Sequence, residues 1–180
     1  MTQPTLLGLS GALRAGSTNT KLIHEAARLF GPCTFVQADL HLPLYDGDIE
    51  DGPGIPREVQ ALADQIAAAD AVVISTPEYN KAPSGVLKNA LDWVSRTSGR
   101  PWQDKPVAVM SAAAGRAGGE RSQTILRAMM VAFQPRILQG PEFHLADTRN
   151  QFDETGQLTS ELYLKTLQAL MDKLRAEIDR

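Results

Sequence analysis

Three short, nearly unbroken apolar runs limit what this chain can become: Leu6-Leu7-Gly8-Leu9, Ala71-Val72-Val73-Ile74 and Val107-Ala108-Val109-Met110. Each has the length of a strand, and a strand that is apolar at every position has to bury both of its faces. Two weaker runs add a second and a fifth strand, Cys33 to Val36 and Arg136-Ile137-Leu138, the latter resuming near Phe143. Between the strands, apolar residues recur at helical spacing. Leu22, Ile23, Ala26, Ala27 and Phe30 mark a helix from Thr18 to Phe30, stopped by Gly31-Pro32. A second helix starts at Pro56 and carries Val59, Leu62 and Ile66; a third follows Ser84 with Leu87, Ala90, Leu91 and Val94. A fourth shows Ile125, Leu126, Met129, Met130 and Phe133, and a last one, capped by Thr159 or Ser160, shows Leu164, Leu167, Leu170, Met171, Leu174 and Ile178. Residues 40–54, rich in Pro, Gly and Asp, read as a loop. Five strands alternating with five helices predict an α/β fold, an open doubly wound parallel sheet of order 2-1-3-4-5. Ligands on such a sheet bind at the carboxyl ends of the strands, at the switch point of the strand order.

The chain of 180 residues is expected to form one domain, residues 1–180, with a core of ordinary size; 43% of it is hydrophobic and 22% charged. Its net charge of −3 argues against a nucleic-acid partner, which usually selects a basic surplus. No apolar run reaches membrane-spanning length, and the first residues lack the basic and apolar regions of a signal peptide. The single cysteine, Cys33, has no internal partner for a disulfide and reads as a small buried residue, which fits a cytoplasmic location. His24, His41 and His144 are widely spaced and lack companions for a metal site, so no metal is expected.

Three loops at the carboxyl ends of the strands carry the chemistry. The first, residues 10–19, sets Ser10, Arg14, Ser17, Thr18 and Asn19 ahead of a helix N-terminus. Unpaired first-turn amides, the helix dipole, hydroxyl donors and a forked guanidinium together suit an anion such as a phosphate. Ser17 and Thr18 are also ordinary caps, and Arg14 also an ordinary solvated loop residue. The loop matches neither the Walker pattern, nor the dinucleotide pattern G-x-G-x-x-G, nor the G-x-S-x-G nucleophile elbow. The second loop holds Pro77, Glu78, Tyr79 and Asn80 and offers a flat ring and an amide on a backbone stiffened by proline. The third, from Ser111 through Gly115 to Gly119, has small side chains that let a planar ligand approach backbone amides. A phosphate subsite beside a shelf for a flat heteroaromatic ring suggests FMN. Glu78 could act as a general base, but it has no visible partner and serves equally well as a helix cap.

With these residues in view, the chain resembles the NADPH-dependent FMN reductase family, flavodoxin-like quinone, chromate and azo-dye reductases. The resemblance spans nearly the whole chain. It rests on Gly11 to Asn19, on Leu42-Pro43-Leu44-Tyr45-Asp46, on Pro77-Glu78-Tyr79-Asn80 with Leu87-Lys88-Asn89-Ala90-Leu91-Asp92-Trp93, and on Gly115 to Gly119. It implies that Arg14, Ser17 and Asn19 hold the FMN phosphate. It implies that Pro77 to Asn80 wrap the ribityl chain and isoalloxazine, and that Ser111 to Gly115 border the other side of the ring. The family usually has a serine where this chain has Ala12, which removes one phosphate hydroxyl; Ser10 or Thr18 stands close enough in sequence to replace it. The family also implies a homodimer or homotetramer with the flavin near the interface and the Tyr45 loop reaching toward the neighbouring subunit.

The resulting expectation is an FMN-dependent oxidoreductase that takes hydride from NADPH or NADH and passes electrons to a small-molecule acceptor by ping-pong kinetics. A quinone is the first expectation for that acceptor, ahead of free flavin, azo compounds, chromate and ferric chelates. The bound flavin carries the chemistry, so no catalytic side chain is expected. The rival readings are a flavodoxin-like electron carrier without NAD(P)H activity and a non-redox phospholigand-binding module.

Overall fold

The computed structural model describes residues 3–178 and Arg180. Strands β1 (Thr5–Ser10), β2 (Thr34–Gln37), β3 (Ala71–Thr76), β4 (Pro106–Ala112) and β5 (Arg136–Ile137) form a parallel sheet of order β2-β1-β3-β4-β5. A sixth strand, β6 (Phe143–Leu145), pairs with β4 beyond the end of β5. The fifth position of the sheet is thus filled in two pieces: β5 lies on Pro106 and Val107, and β6 on Met110 to Ala112. Pro141, which has no N–H to give to a ladder, falls in the break between them.

Period-two alternation along each central strand divides the core between the two faces. Leu6, Ala71, Val73, Ala108 and Met110 face α1 (Thr18–Phe30) and α6 (Glu161–Ala176). Leu7, Leu9, Val72, Ile74, Val107 and Val109 face α3 (Arg57–Ala68), α4 (Gly85–Val94) and α5 (Glu120–Met130). Both faces are therefore covered, as the continuous apolar runs require. The register pairs Ser10 with Ser75 and Thr76 with Ser111, so the loops after β1, β3 and β4 leave the sheet at nearly one level.

Several local expectations change. Residues 40–54 are not all loop: a short helix α2 (Gly47–Asp51) forms behind Asp46, whose carboxylate accepts the Asp48 N–H. Cys33 precedes β2 and is half-buried; burial pushes its thiol pKa up, only partly offset by Arg175, so it is a poor nucleophile. Phe133 lies in a 3₁₀ turn (Val131–Phe133) beyond α5, and Ile125 faces solvent while Leu126 and Met130 take the buried positions. Among the described residues no helix is long and apolar enough to cross a membrane.

Candidate active site

The three loops converge on a cleft of about 920 Å³ at the carboxyl ends of β1, β3 and β4. That volume lies within the range of small-ligand and cofactor sites, about 300–1,000 Å³. Arg14, Ser17, Thr18, Asn19, Pro77, Glu78, Tyr79 and Gly115 all line it.

The anion end is built on the start of α1. Ser17 caps the helix, its Oγ accepting the Asn19 N–H at 3.2 Å. Among the described residues, the hydroxyls of Ser17 and Thr18 donate to no protein acceptor, and the Arg14 guanidinium has no carboxylate partner. Two hydroxyl protons, a positive helix end and a cation thus face the same space. Asn19 lines the cleft, but the residue is only 3% exposed and its side chain is bonded to the scaffold. Its Oδ1 accepts from Ser75 Oγ at 2.7 Å and from the Ala112 N–H at 3.1 Å, and its Nδ2 donates to the Ala112 carbonyl at 3.0 Å. This amide ties the ends of β3 and β4 to the first turn of α1.

Ser10, Asn80 and Ser111 do not line the cleft. The Ser10 hydroxyl turns to the far side of the loop, where it accepts from Thr20 Oγ1 at 2.9 Å and donates to the Ala12 carbonyl at 3.3 Å. It therefore does not fill the place left by Ala12, whereas Thr18 remains in reach of the cleft. Ser111 is buried and donates to the Gly118 carbonyl at 2.6 Å, supporting the third loop from below. Asn80 sits with Lys81 at the tip of a two-residue hairpin closed by reciprocal 3.0 Å bonds between Tyr79 and Ala82. Both tip residues have positive φ, 52° and 68°, as a type I′ turn demands. The hairpin presents Tyr79, 60% exposed, at the rim.

Glu78 takes the capping role. Its Oε2 accepts the Ser122 N–H at 3.4 Å in the first turn of α5, and Arg121 lies 3.9 Å from Oε1. A carboxylate at that helix end meets the positive pole of the dipole.

The sequence reading missed Gln123. It is buried on the core-facing side of α5, three residues before Leu126, and donates to Ser111 Oγ at 2.8 Å and to the Phe143 carbonyl at 2.6 Å. Its signal was a polar residue on an apolar helical stripe. With Ser111 it fixes the turn at Gly118 and Gly119, whose φ values are 57° and 92°. A Cβ on Gly118 would meet the His144 backbone at 2.7 Å, and one on Gly119 would meet Ser111 Cβ at 2.7 Å. Both positions therefore need glycine for conformation and for space. Leu44, Ser84, Val86 and Thr148 also line the cleft without having been singled out as binding residues.

A profile described as NADPH-dependent FMN reductase matches residues 4–149. The chain is 42% identical over 171 residues to an NAD(P)H-dependent FMN reductase of Pseudomonas aeruginosa, covering 92% of each chain. It is 39% identical over 154 residues to a quinone reductase of Escherichia coli K12, covering 83% of this chain and 82% of that one. The solved structure of FerB, a flavoenzyme NAD(P)H:(acceptor) oxidoreductase from Paracoccus denitrificans, superposes with a TM-score of 0.88 at 31% identity, over 98% of this chain and 97% of that one. Fold, cleft position and likeness along nearly the full length agree, and the chain is an oxidoreductase belonging to the NADPH-dependent FMN reductase family.

Proposed function

We propose that this chain holds FMN in the 920 Å³ cleft and catalyses the NAD(P)H-dependent reduction of a quinone. One observation carries the reading: an anion-binding end and a flat shelf of small residues and backbone meet in a single cleft, in a chain of the FMN reductase family. The residues fit the group. Ser17, Thr18 and Arg14 supply donors and charge for the phosphate at the start of α1. Pro77, Glu78 and Tyr79 border the ribityl chain and ring on one side, and residues 112–115 on the other. Asn19, Ser111 and Ser10 hold the loops in place from beneath. Asn19 is in this reading a positioning residue, since its Oδ1 and one Nδ2 proton are spent on Ser75 and Ala112.

Bound there, FMN supplies a two-electron relay between a hydride donor and an acceptor. In the overall reaction NAD(P)H, one solvent proton and a quinone give NAD(P)⁺ and a quinol. The two substrates use the same open face in turn, which is ping-pong kinetics. No side chain in the cleft has to act as an acid or base: Glu78 is engaged at the start of α5. The quinone reductase of Escherichia coli and a 2-hydroxy-1,4-benzoquinone reductase of a Burkholderia species, 39% and 37% identical, support the choice of quinone over free flavin, azo compounds, chromate or ferric chelates. The same reading makes the chain a single-domain cytoplasmic enzyme that acts as a homodimer or homotetramer with the flavin near the interface.

The test is an anaerobic absorption titration of the FMN-reconstituted protein with NADPH, then with NADH. The flavin bands are expected to bleach at about one equivalent of reductant, since each donor delivers one electron pair. Bound flavin that neither donor bleaches would make the chain an electron carrier, and failure to retain FMN would refute the site assignment.

A further inference from the structure

Leu44 is 80% exposed, more than any other large hydrophobic side chain among the described residues, and it lines the cleft. An isolated exposed leucine needs no explanation. What sets this one apart is that the peptide groups on both sides of it are clamped by a single side chain. Asn89 Nδ2 donates to the Pro43 carbonyl at 2.9 Å, and Asn89 Oδ1 accepts the Tyr45 N–H at 2.9 Å. Trp93 Nε1 gives the Pro43 carbonyl a second donor at 2.8 Å, and the Tyr45 ring packs edge-on against Trp93 with centroids 5.0 Å apart. The Tyr45 hydroxyl donates to Glu50 at 2.9 Å, and Arg96 holds the same carboxylate at 2.9 and 3.0 Å. Asn89 and Trp93 are one turn apart on α4, whose N-terminal residues Gly85 and Val86 line the cleft. One helix therefore borders the site and grips the segment that carries Leu44 over it. Ordering a loop this way costs conformational entropy, and the side chain so ordered is left in water.

We infer that Leu44 is a specificity-determining residue: a fixed apolar wall against which a planar, uncharged acceptor lies, favouring quinones over small charged oxidants. The inference rests on the proposed quinone reductase activity. Asn89 acts through Leu44 and is a positioning residue.

The experiment compares the FMN-loaded wild-type protein with Leu44→Ala, Leu44→Met and Asn89→Ala, using NADPH as donor and 1,4-benzoquinone or ferricyanide as acceptor. Leu44 is exposed, so Leu44→Ala does not threaten folding. Its kcat/KM for benzoquinone is expected to fall roughly tenfold, the scale of small apolar changes in a substrate pocket. Its kcat/KM for ferricyanide, which in ping-pong kinetics reports the acceptor half-reaction alone, is expected to stay within about twofold. Leu44→Met restores the quinone value, and Asn89→Ala reproduces part of the selective loss. Unchanged benzoquinone kinetics in Leu44→Ala would overturn the inference. So would equal losses with both acceptors, or a loss that follows dissociation of subunits in size-exclusion chromatography. A wild-type flavin that neither NADPH nor NADH bleaches would overturn the underlying reading, and that failure appears before any variant is compared.

Discussion

Replacing Asn19 by alanine separates a scaffold residue from a ligand residue. The substitution removes three hydrogen bonds, with lengths of 2.7, 3.0 and 3.1 Å. It leaves the Ser75 hydroxyl and the Ala112 N–H and C=O without their side-chain partner, in residues 0% and 2% exposed. Each of the three neutral bonds contributes about 1 kcal/mol net, and each orphaned buried donor or acceptor costs about 1–3 kcal/mol, so the loss is at least about 3 kcal/mol. Against a total stability of about 5–15 kcal/mol this is a large fraction. For a domain of this size each kcal/mol moves Tm by about 2–4 °C, so flavin-free Asn19→Ala should melt roughly 10 °C below wild type. Circular dichroism at rising temperature measures this, and Ser75→Ala, which removes a single donor, should fall well short of it. FMN affinity, followed by flavin fluorescence, should weaken as well, because the first turn of α1 is no longer tied to β3 and β4. A flavin-free Tm within about 2 °C of wild type, together with a large loss of FMN affinity, would refute the reasoning and make Asn19 a phosphate ligand.

The other residues of the site divide by the same logic. Arg14→Ala removes an exposed side chain without a carboxylate partner among the described residues; it should weaken FMN binding by about 10–100-fold, the worth of a hydrogen bond to a charged group, while the flavin-free Tm does not move. Glu78→Gln keeps a hydrogen-bond acceptor at the start of α5 but loses the charge; it should cost about 0.3–1 kcal/mol of stability and leave the rate of flavin reduction by NADPH intact in stopped flow. Gly119→Ala forces a side chain onto φ 92° and a 2.7 Å approach to Ser111; denaturant unfolding should show a loss of about 1–3 kcal/mol.

Much of the architecture was legible because it depends on local patterning. The α1 boundaries, Thr18 to Phe30, follow from the apolar stripe, the Ser17 cap and the Gly31 stop. The continuous apolar runs implied a sheet covered on both faces, and the alternation of elements with right-handed crossovers left few strand orders. The Asp46 cap that starts α2 went unnoticed, because five residues are too few to show a helical period. The loops were recognisable as a composite site because the sheet topology alone brings them to one edge.

Which atoms of those loops are free was not legible. Ser10 and Ser17 are both serines near the anion end, and Asn19 lies two residues from the cap. The folded loop spends the Ser10 hydroxyl on its neighbours Thr20 and Ala12, tertiary contacts spend the Asn19 amide on Ser75 and Ala112, and Ser17 and Thr18 are left with protons to give. The partners of Asn19 are remote in sequence; Ala112 is 93 residues away and Ser75 is 56. Gln123 and Leu44 make the same point from opposite directions, a polar side chain in the core and an apolar one in water. The sequence by itself determined the periods, a doubly wound sheet of one of few orders and the edge where a ligand must sit, since these follow from residue spacing and chain handedness. The tertiary structure alone decided which donors face the cleft and which hold it together, because a hydrogen-bonding group is committed by whatever the fold brings within 3 Å of it.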